Sequence, residues 1–82
     1  MDIRDIEYFM ALAKQGSFTR TAAGFYITQS ALSQKISALE SELGVKLFAR
    51  TGRGVKLTQA GEVLYDHALG IMRGWENMRQ AM

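Results

Sequence analysis

The sequence predicts a mainly α-helical domain in which four helices are interrupted by one short β-hairpin. Three observations predict this class. Apolar residues recur at spacings of three and four in three separate stretches, a period typical of helices. Residues that cap helices precede these stretches, and glycines follow two of them. Between the third and the last helix, two short runs rich in β-branched and aromatic residues flank a glycine-containing turn.

The composition is that of one small globular domain. Its 82 residues allow a single core, and an apolar fraction of 48% is ordinary for a folded chain. Without cysteine, the chain can form neither a disulfide nor a thiolate zinc site. No apolar run approaches the ~20 residues of a membrane span, and the charges that follow Met1 do not fit a signal peptide. We therefore expect a soluble, cytoplasmic protein that folds on packing alone.

The net charge of +2 is unevenly distributed along the chain. Residues 14–58 carry seven Lys and Arg against two Glu, which gives +5. Residues 1–13 carry one basic against three acidic residues (−2), and residues 59–82 carry two against three (−1). The positive excess lies in the middle, where a polyanion could bind, although a basic patch can equally serve solubility.

The first three helices are delimited by capping residues. The first lies between the N-cap Asp2 and the stop signal Gly16, and Ser17 can cap a second from about Phe18 to Phe25. After a brief connection at Tyr26 and Ile27, Thr28 caps a third helix that runs to about Leu43, where Gly44 ends it. The expected core residues of the first helix are Ile3, Ile6, Phe9, Met10 and Ala13, and those of the third are Leu32, Ile36, Leu39 and Leu43.

Two helices joined by so short a turn, with the second amphipathic, form the helix-turn-helix pattern. The period then changes: Val45–Phe48 and Val55–Leu57 read as strands, with a turn at Arg50–Gly54 that contains two arginines. We interpret this hairpin as a wing. Residues 1–57 are thus expected to form a winged helix-turn-helix domain.

A long helix is predicted over residues 58–82, with Thr58 as its cap. At 1.5 Å per residue it spans roughly 37 Å, more than a domain of this size needs, so its far end should project and seek a partner. Apolar residues recur along it at spacings of 4, 3, 4, 3 and 4, a heptad-like pattern that favours pairing with a second copy. The predicted dimerisation residues are Leu64, Ala68, Ile71, Trp75, Met78 and Met82.

The third helix has a second, polar face that is suited to reading DNA bases. Its side chains are short or carry amides, and they can both donate and accept hydrogen bonds. A solvated helix face is the alternative, but such faces usually carry Glu and Lys, and only Lys35 interrupts this polar run. The predicted base contacts on this face are Gln29, Ser30, Ser33 and Gln34, and Ser37 lies on the same face.

The wing suits a different contact. Arg53, between two glycines, can enter a minor groove, whose negative potential attracts guanidinium, while Arg50, Lys46 and Lys56 suit phosphates. The alternative is a flexible, solubilising hairpin. Phosphate contacts are expected at Ser17, Tyr26, Thr28, Lys35, Arg50, Thr51 and Lys56. Capping alone explains Ser17 and Thr28, and packing is a slightly favoured alternative for Tyr26.

No pattern of residues indicates catalysis. His67 has no acid or second ligand placed to suit a metal or a proton relay, and neither a nucleophile–base pair nor a glycine-rich phosphate loop is present. Trp75 and the methionines are most simply packing residues. We therefore expect no enzyme activity, no cofactor and no metal.

Several motifs, in order and almost without gaps from about Ile3 to Ala68, resemble the DNA-binding part of LysR-type bacterial transcription regulators. They are Ser17–Ala22, Gln29–Ile36, Leu39–Glu40, Leu43–Phe48, Arg50 and Leu57–Gly61. The resemblance implies a winged helix-turn-helix, a linker helix that dimerises antiparallel to its twin, and a C-terminal effector-binding domain of periplasmic-binding-protein type outside this chain. It places the four polar side chains of the third helix in the major groove and Arg53 in the minor groove.

The resemblance further implies a homodimer on a pseudo-palindromic operator, a tetramer for the full-length protein, and transcription controlled by a small molecule. Four positions depart from the family pattern. Ser30 stands where proline is common, and Gln34 where arginine is common, so a guanine preference at that step is not expected. Thr21 replaces a common alanine. Gly24 costs the second helix roughly 1 kcal/mol relative to alanine, which close helix packing could explain.

Two other functions compete with sequence-specific regulation. One is a basic domain that coats DNA regardless of sequence, which competition with random DNA would reveal. The other is a winged helix adapted to protein–protein contact, with the Leu64–Met82 seam as its working surface. That reading requires negligible DNA affinity even at low salt.

Overall fold

The computed structural model describes residues 1–82 and confirms the expected fold class. Three helices precede an antiparallel hairpin and a long final helix. The elements are α1 (Ile3–Gln15), α2 (Phe18–Gly24), α3 (Gln29–Leu43), β1 (Phe48–Thr51), β2 (Gly54–Leu57) and α4 (Gln59–Ala81). None of the helices is long and apolar enough to cross a membrane.

Each helix begins at a side chain that accepts an amide hydrogen bond, as expected from the sequence. The carboxylate of Asp2 and the hydroxyls of Ser17, Thr28 and Thr58 each accept from the backbone three residues ahead, at 2.9–3.2 Å. In α1 the side chain of Asp5 also returns a bond to the amide of Asp2, which completes a capping box. Gly16 (φ 67°) and Gly44 (φ 72°) end α1 and α3 in the left-handed region.

The core is built where α1, α2 and α3 cross under the hairpin. Fully buried side chains include Phe9, Leu12, Leu32 and Leu47. Two expectations need correction. Tyr8 and Leu12 of α1 are buried although they were not expected to be, because α2 and α3 cover a wider face of α1 than one stripe. Leu43, expected in the core, remains 39% exposed because α3 ends there, beyond the helices it packs against.

The first strand begins three residues later than the sequence predicts. Residues 45–47 are a connection, because the backbone there bonds to α3 and α4: Val45 donates to the carbonyl of Glu40, and the carbonyl of Leu47 accepts from Thr58. β1 pairs with β2 from Phe48 opposite Leu57 to Thr51 opposite Gly54. The turn is therefore Gly52–Arg53 alone, and residues 50, 51 and 54, expected in the turn, belong to strands.

The first half of α4 belongs to the domain core. Gly61 and Ala68 are buried, and Leu64 and Tyr65 pack against the main cluster. At Gly61 an added Cβ would collide with the carbonyl oxygen of Leu47, so this close approach requires glycine. The core thus extends past the expected boundary at residue 57. Ala68, expected at a dimer seam, is fully buried within its own chain and cannot contact a partner in this arrangement.

Gly24 does not serve close helix packing, the explanation the sequence suggested. A Cβ built on it meets no atom within 4 Å. Its backbone has no positive φ either, so the structure gives no conformational reason for glycine there.

Candidate nucleic-acid interface

The exposed N-terminal end of α3 presents the polar residues that were expected to read bases. Gln29, Ser30 and Gln34 are exposed, whereas Ser33 is half-buried. The same helix buries Leu32, Ile36 and Leu39 on its other face. Burial of that stripe against α1 and α2 fixes the rotation of α3, so the polar residues must face outward.

Thr19 of α2 orients Gln29, and the sequence reading missed it. The hydroxyl of Thr19 donates to the amide oxygen of Gln29 at 3.3 Å, which ties the first residue of α3 to the preceding helix. This leaves the amide nitrogen of Gln29 free to donate and one lone pair of its oxygen free to accept. The sequence offered no signal for this contact, because the two residues are ten positions apart.

Tyr26 occupies the tight turn between α2 and α3. Its backbone has φ 58°, the only non-glycine residue with a positive φ, and its side chain is 96% exposed. The packing role favoured from the sequence is therefore wrong. A large aromatic residue in the left-handed region costs roughly 1–2 kcal/mol, and no burial compensates for it here. The side chain stands in solvent, two residues before Thr28, the N-cap of α3.

The wing tip presents Arg53 to solvent. Arg53 is exposed at the second position of the two-residue turn, and its amide donates to the hydroxyl oxygen of Thr51 at 3.3 Å. Thr51, an expected phosphate contact, thus uses one lone pair of its oxygen within the turn and keeps its hydroxyl hydrogen free to donate to a phosphate. Neither turn residue has a positive φ.

Arg50 and Lys56 lie on opposite faces of the wing. Residues directly paired across two strands share a face, and successive residues alternate. Arg50 pairs with the buried Val55 and lines a groove with Ser33 and Ser37 of α3. Lys56 pairs with Ala49 and points to the outer face. The polar surface of α3 and the inner face of the wing therefore form one continuous surface.

The other expected phosphate contacts are Ser17, Thr28 and Lys35. Ser17 and Thr28 use their hydroxyl oxygens as helix caps, and Lys35 is exposed on α3.

Arg4, a basic residue in the acidic N-terminal segment, is held elsewhere. Its Nε donates to the hydroxyl of Tyr8 at 3.2 Å, and this hydrogen bond raises the pKa of the guanidinium. No three His, Asp or Glu side chains lie close enough together to hold a metal ion.

A model of one protein family matches the sequence over residues 3–62, most of the chain. Its description is bacterial regulatory helix-turn-helix protein, lysR family. The chain belongs to the LysR family.

Curated relatives agree with the family model. The chain is 47% identical over 72 residues to the HTH-type transcriptional regulator BudR of Klebsiella aerogenes, covering 88% of this chain and 50% of that protein. It is 43% identical over 82 residues to the nitrogen assimilation regulatory protein nac of Escherichia coli (strain K12), covering 100% of this chain and 27% of that protein. The chain thus spans half or less of the length of these LysR-family relatives.

Solved structures share the whole fold. The BenM DBD in complex with catB site 1 DNA superposes with a TM-score of 0.92 at 36% identity, covering 99% of this chain and 91% of that one. The CbnR DBD–DNA complex superposes with a TM-score of 0.84 at 33% identity, covering 99% and 98%. Both neighbours are DNA complexes, so the geometry of this fold is compatible with duplex binding.

Proposed function

We propose that this chain is the sequence-specific DNA-binding part of a dimeric bacterial transcription regulator. One observation carries the proposal: short uncharged polar side chains on the exposed end of α3 adjoin a wing with an arginine at its tip. Groups of the first kind distinguish base edges in the major groove, whereas a guanidinium suits the narrow minor groove. The LysR-family relatives and the DNA complexes of the structural neighbours support this assignment.

The residues divide by the kind of contact they make. Gln29, Ser30, Ser33 and Gln34 contact bases in the major groove, and Arg53 enters the adjoining minor groove. The hydroxyl of Tyr26 and the side chain of Lys35 contact phosphates beside α3. Arg50 and Lys56, on opposite wing faces, contact phosphates on either side of the minor groove.

A second copy binds along α4. The accessible face is shifted slightly from the predicted seam, because Ala68 is buried. Ile71, Trp75, Met78 and Met82 are exposed and keep their predicted place, whereas Leu64 is half-buried. The accessible heptad positions, at spacings of four and three, are Ala60, Leu64, His67, Ile71, Gly74 and Met78.

The charges along α4 favour an antiparallel pair. Its first half carries Glu62 and Asp66, and its second half carries Arg73 and Arg79 against Glu76. These charged residues lie outside the accessible apolar face, so the acidic half of one helix attracts the basic half of an antiparallel partner at long range only, whereas parallel packing sets like charges together. The antiparallel dimer holds its two α3 helices apart, for two half-sites separated by one or more helical turns.

The longer relatives suggest a second part of the protein beyond this chain. We propose an effector-binding domain there, which ties DNA binding to a small molecule in the cytoplasm and allows a tetramer of the full-length protein. The present chain supplies binding rather than catalysis, in keeping with relatives that are transcription regulators.

Selection of bound sequences from a random duplex pool tests the proposal. The expected result, at near-physiological salt, is a two-fold symmetric motif. Gln29→Ala should then cost about 1–3 kcal/mol on the selected site and little on random DNA. Gln80→Ala removes the same side chain from the exposed end of α4 and is the matched control. If the selected pool stays random, the protein coats DNA through charge and does not read sequence. If affinity for DNA is negligible even at low salt, the winged helix serves protein–protein contact instead.

A further inference from the structure

Glu40 is an acidic side chain held close to the interface between α3 and the wing. Its side chain is 13% exposed although it carries a charge. One carboxylate oxygen accepts from the amide of Leu47 at 2.7 Å and from that of Phe48 at 3.4 Å. The other oxygen lies 3.9 Å from the Nζ of Lys46, whose side chain is 83% exposed, so this ion pair contributes little.

The same residue holds both ends of the connection that leads to the wing. The backbone carbonyl of Glu40 accepts from Gly44 at 2.8 Å and from Val45 at 3.2 Å, where α3 ends. Its carboxylate then accepts from residues 47 and 48, where β1 begins. Glu40 thus holds both ends of the connection between α3 and β1. Its carbonyl binds the first end, and its side chain, which has a fixed length, binds the second.

Charge alone does not account for an acid at this place. A carboxylate beside a phosphate-binding surface opposes the attraction of a polyanion, so its removal should raise affinity for any DNA. A two-stranded hairpin is marginally stable by itself, and its position depends on contacts with the rest of the domain. The hydrogen bonds of Glu40 are such contacts, and charge-assisted hydrogen bonds are among the stronger ones.

We propose that Glu40 is a positioning residue that sets the wing relative to α3 and so fixes the distance between the base-reading side chains and Arg53. Its carboxylate holds the start of β1, and the other end of β1 leads directly to the turn that carries Arg53. The two grooves are read together only when this distance matches the duplex. The inference rests on the proposed function for its effect on DNA and on the contacts above for its effect on the wing.

Two substitutions separate geometry from charge. Glu40→Asp keeps the charge but shortens the side chain by one methylene, so it cannot reach the amide of Leu47 unless the wing moves. Glu40→Gln keeps the length and an oxygen acceptor but loses the charge. A positioning role predicts that the aspartate variant shifts the wing, whereas the glutamine variant keeps the wing position with weaker hydrogen bonds. A purely electrostatic role predicts the reverse. Glu42→Gln is the control for lost charge, because Glu42 is an exposed acid on the same helix whose carboxylate pairs with the N-terminal amine at 2.8 Å rather than with the wing.

The wing position can be measured without DNA. Because the chain has no cysteine, Ala38→Cys on α3 and Gly52→Cys at the wing tip carry two spin labels at exposed sites. Labelled chains are diluted with excess unlabelled chains, so that only distances within one chain contribute. We then expect one narrow distance distribution in the parent, in Glu40→Gln and in Glu42→Gln, and a shifted or broadened one in Glu40→Asp. Circular dichroism confirms that each variant is folded. An unchanged distribution in Glu40→Asp overturns the proposal, whatever the protein binds.

A double-mutant cycle measures the consequence for DNA on the selected duplex. Arg53→Ala should weaken binding about tenfold in the parent, and less than about threefold in the Glu40→Asp background, because a displaced Arg53 has already lost its contact. Loss of stability alone would leave the Arg53 effect equal in both backgrounds, which contradicts positioning. If Arg53→Ala has no effect in the parent, the proposed minor-groove contact fails, and the label distances still decide the role of Glu40.

Discussion

The amide of Val55 donates a 3.0 Å hydrogen bond to the carbonyl of Gly16, and this bond joins the wing to the loop that caps α2. The wing and this loop can approach closely because the residues at the contact, Gly16 and Gly54, are both glycine. A Cβ built on Gly54 would overlap the carbonyl oxygen of Gly16, and Gly54 itself has φ 154°. The hairpin is thus held from two sides, by α3 through Glu40 and by the start of the helix-turn-helix.

Gly54→Ala is expected to detach the wing from this loop. The added methyl cannot be placed without moving the backbone, so we expect a loss of about 1–3 kcal/mol in the free energy of unfolding. Gly52→Ala is the matched control, because a Cβ there meets no atom within 4 Å and the φ of Gly52 is not positive. Urea unfolding of both variants checks this. Equal stability of the two would show that the wing is not packed on Gly16.

Tyr26→Asn should stabilise the fold and weaken DNA binding. Asparagine tolerates the left-handed backbone at residue 26, so about 1 kcal/mol of strain should be relieved, which raises the Tm by roughly 4–8 °C in a domain of this size. Loss of the hydroxyl should lower affinity equally on selected and random DNA, because phosphate contacts carry no sequence information. The dependence on salt should not change, since tyrosine is uncharged.

Tyr26→Phe separates the two effects of that substitution. It retains the aromatic ring and the backbone strain but removes the hydroxyl, so affinity should fall with no gain in Tm. If Tyr26→Phe binds DNA with full affinity, the hydroxyl does not contact the DNA. The strained backbone would then serve only the angle between α2 and α3.

Thr21→Val should also stabilise the fold. Thr21 is fully buried, and its hydroxyl has no hydrogen-bond partner. Valine keeps the shape and removes the unsatisfied group, which costs about 1–3 kcal/mol when buried. Thermal unfolding at matched protein concentration measures the gain, with Ser41→Ala, which removes an exposed hydroxyl from α3, as the control. A loss of stability in Thr21→Val would mean that the hydroxyl has a partner in solution.

Local signals predicted the helices of this chain because capping depends on neighbouring residues. Asp2, Ser17, Thr28 and Thr58 each cap a helix through an amide three positions away. The exposed polar residues of α3 could be predicted for a similar reason, since burial of one helical face determines the other.

Contacts between elements decided what the sequence could not. The start of β1 depends on the carboxylate of Glu40, seven and eight residues away, which occupies the amides of Leu47 and Phe48. Two overlapping heptad patterns run along α4, and the packing of the domain decides which of them stays exposed. Ala68 fits against the core, and that contact leaves His67 and Ile71 facing solvent. Thr19 and Gln29 meet only after α2 and α3 cross.

The orientation of the proposed dimer can be tested with single cysteines, because the chain has none of its own. In an antiparallel pair that overlaps along the whole of α4 (Gln59–Ala81), only positions near the middle of the helix face their own counterpart, and Ile71 is the seam position nearest to that middle. We therefore expect Ile71→Cys to form a cross-linked dimer on mild oxidation, since a disulfide requires Cα atoms within about 7 Å. Met78→Cys should not, because its counterpart lies at the opposite end of the partner helix.

The pattern of cross-linking distinguishes the possible arrangements. A parallel pair would cross-link through Ile71→Cys and Met78→Cys alike, because every seam position then faces its own copy. Leu69→Cys is the control for random collision, since Leu69 is 42% exposed but lies away from the seam. Cross-linking through Leu69→Cys alone would move the dimer to another face of α4.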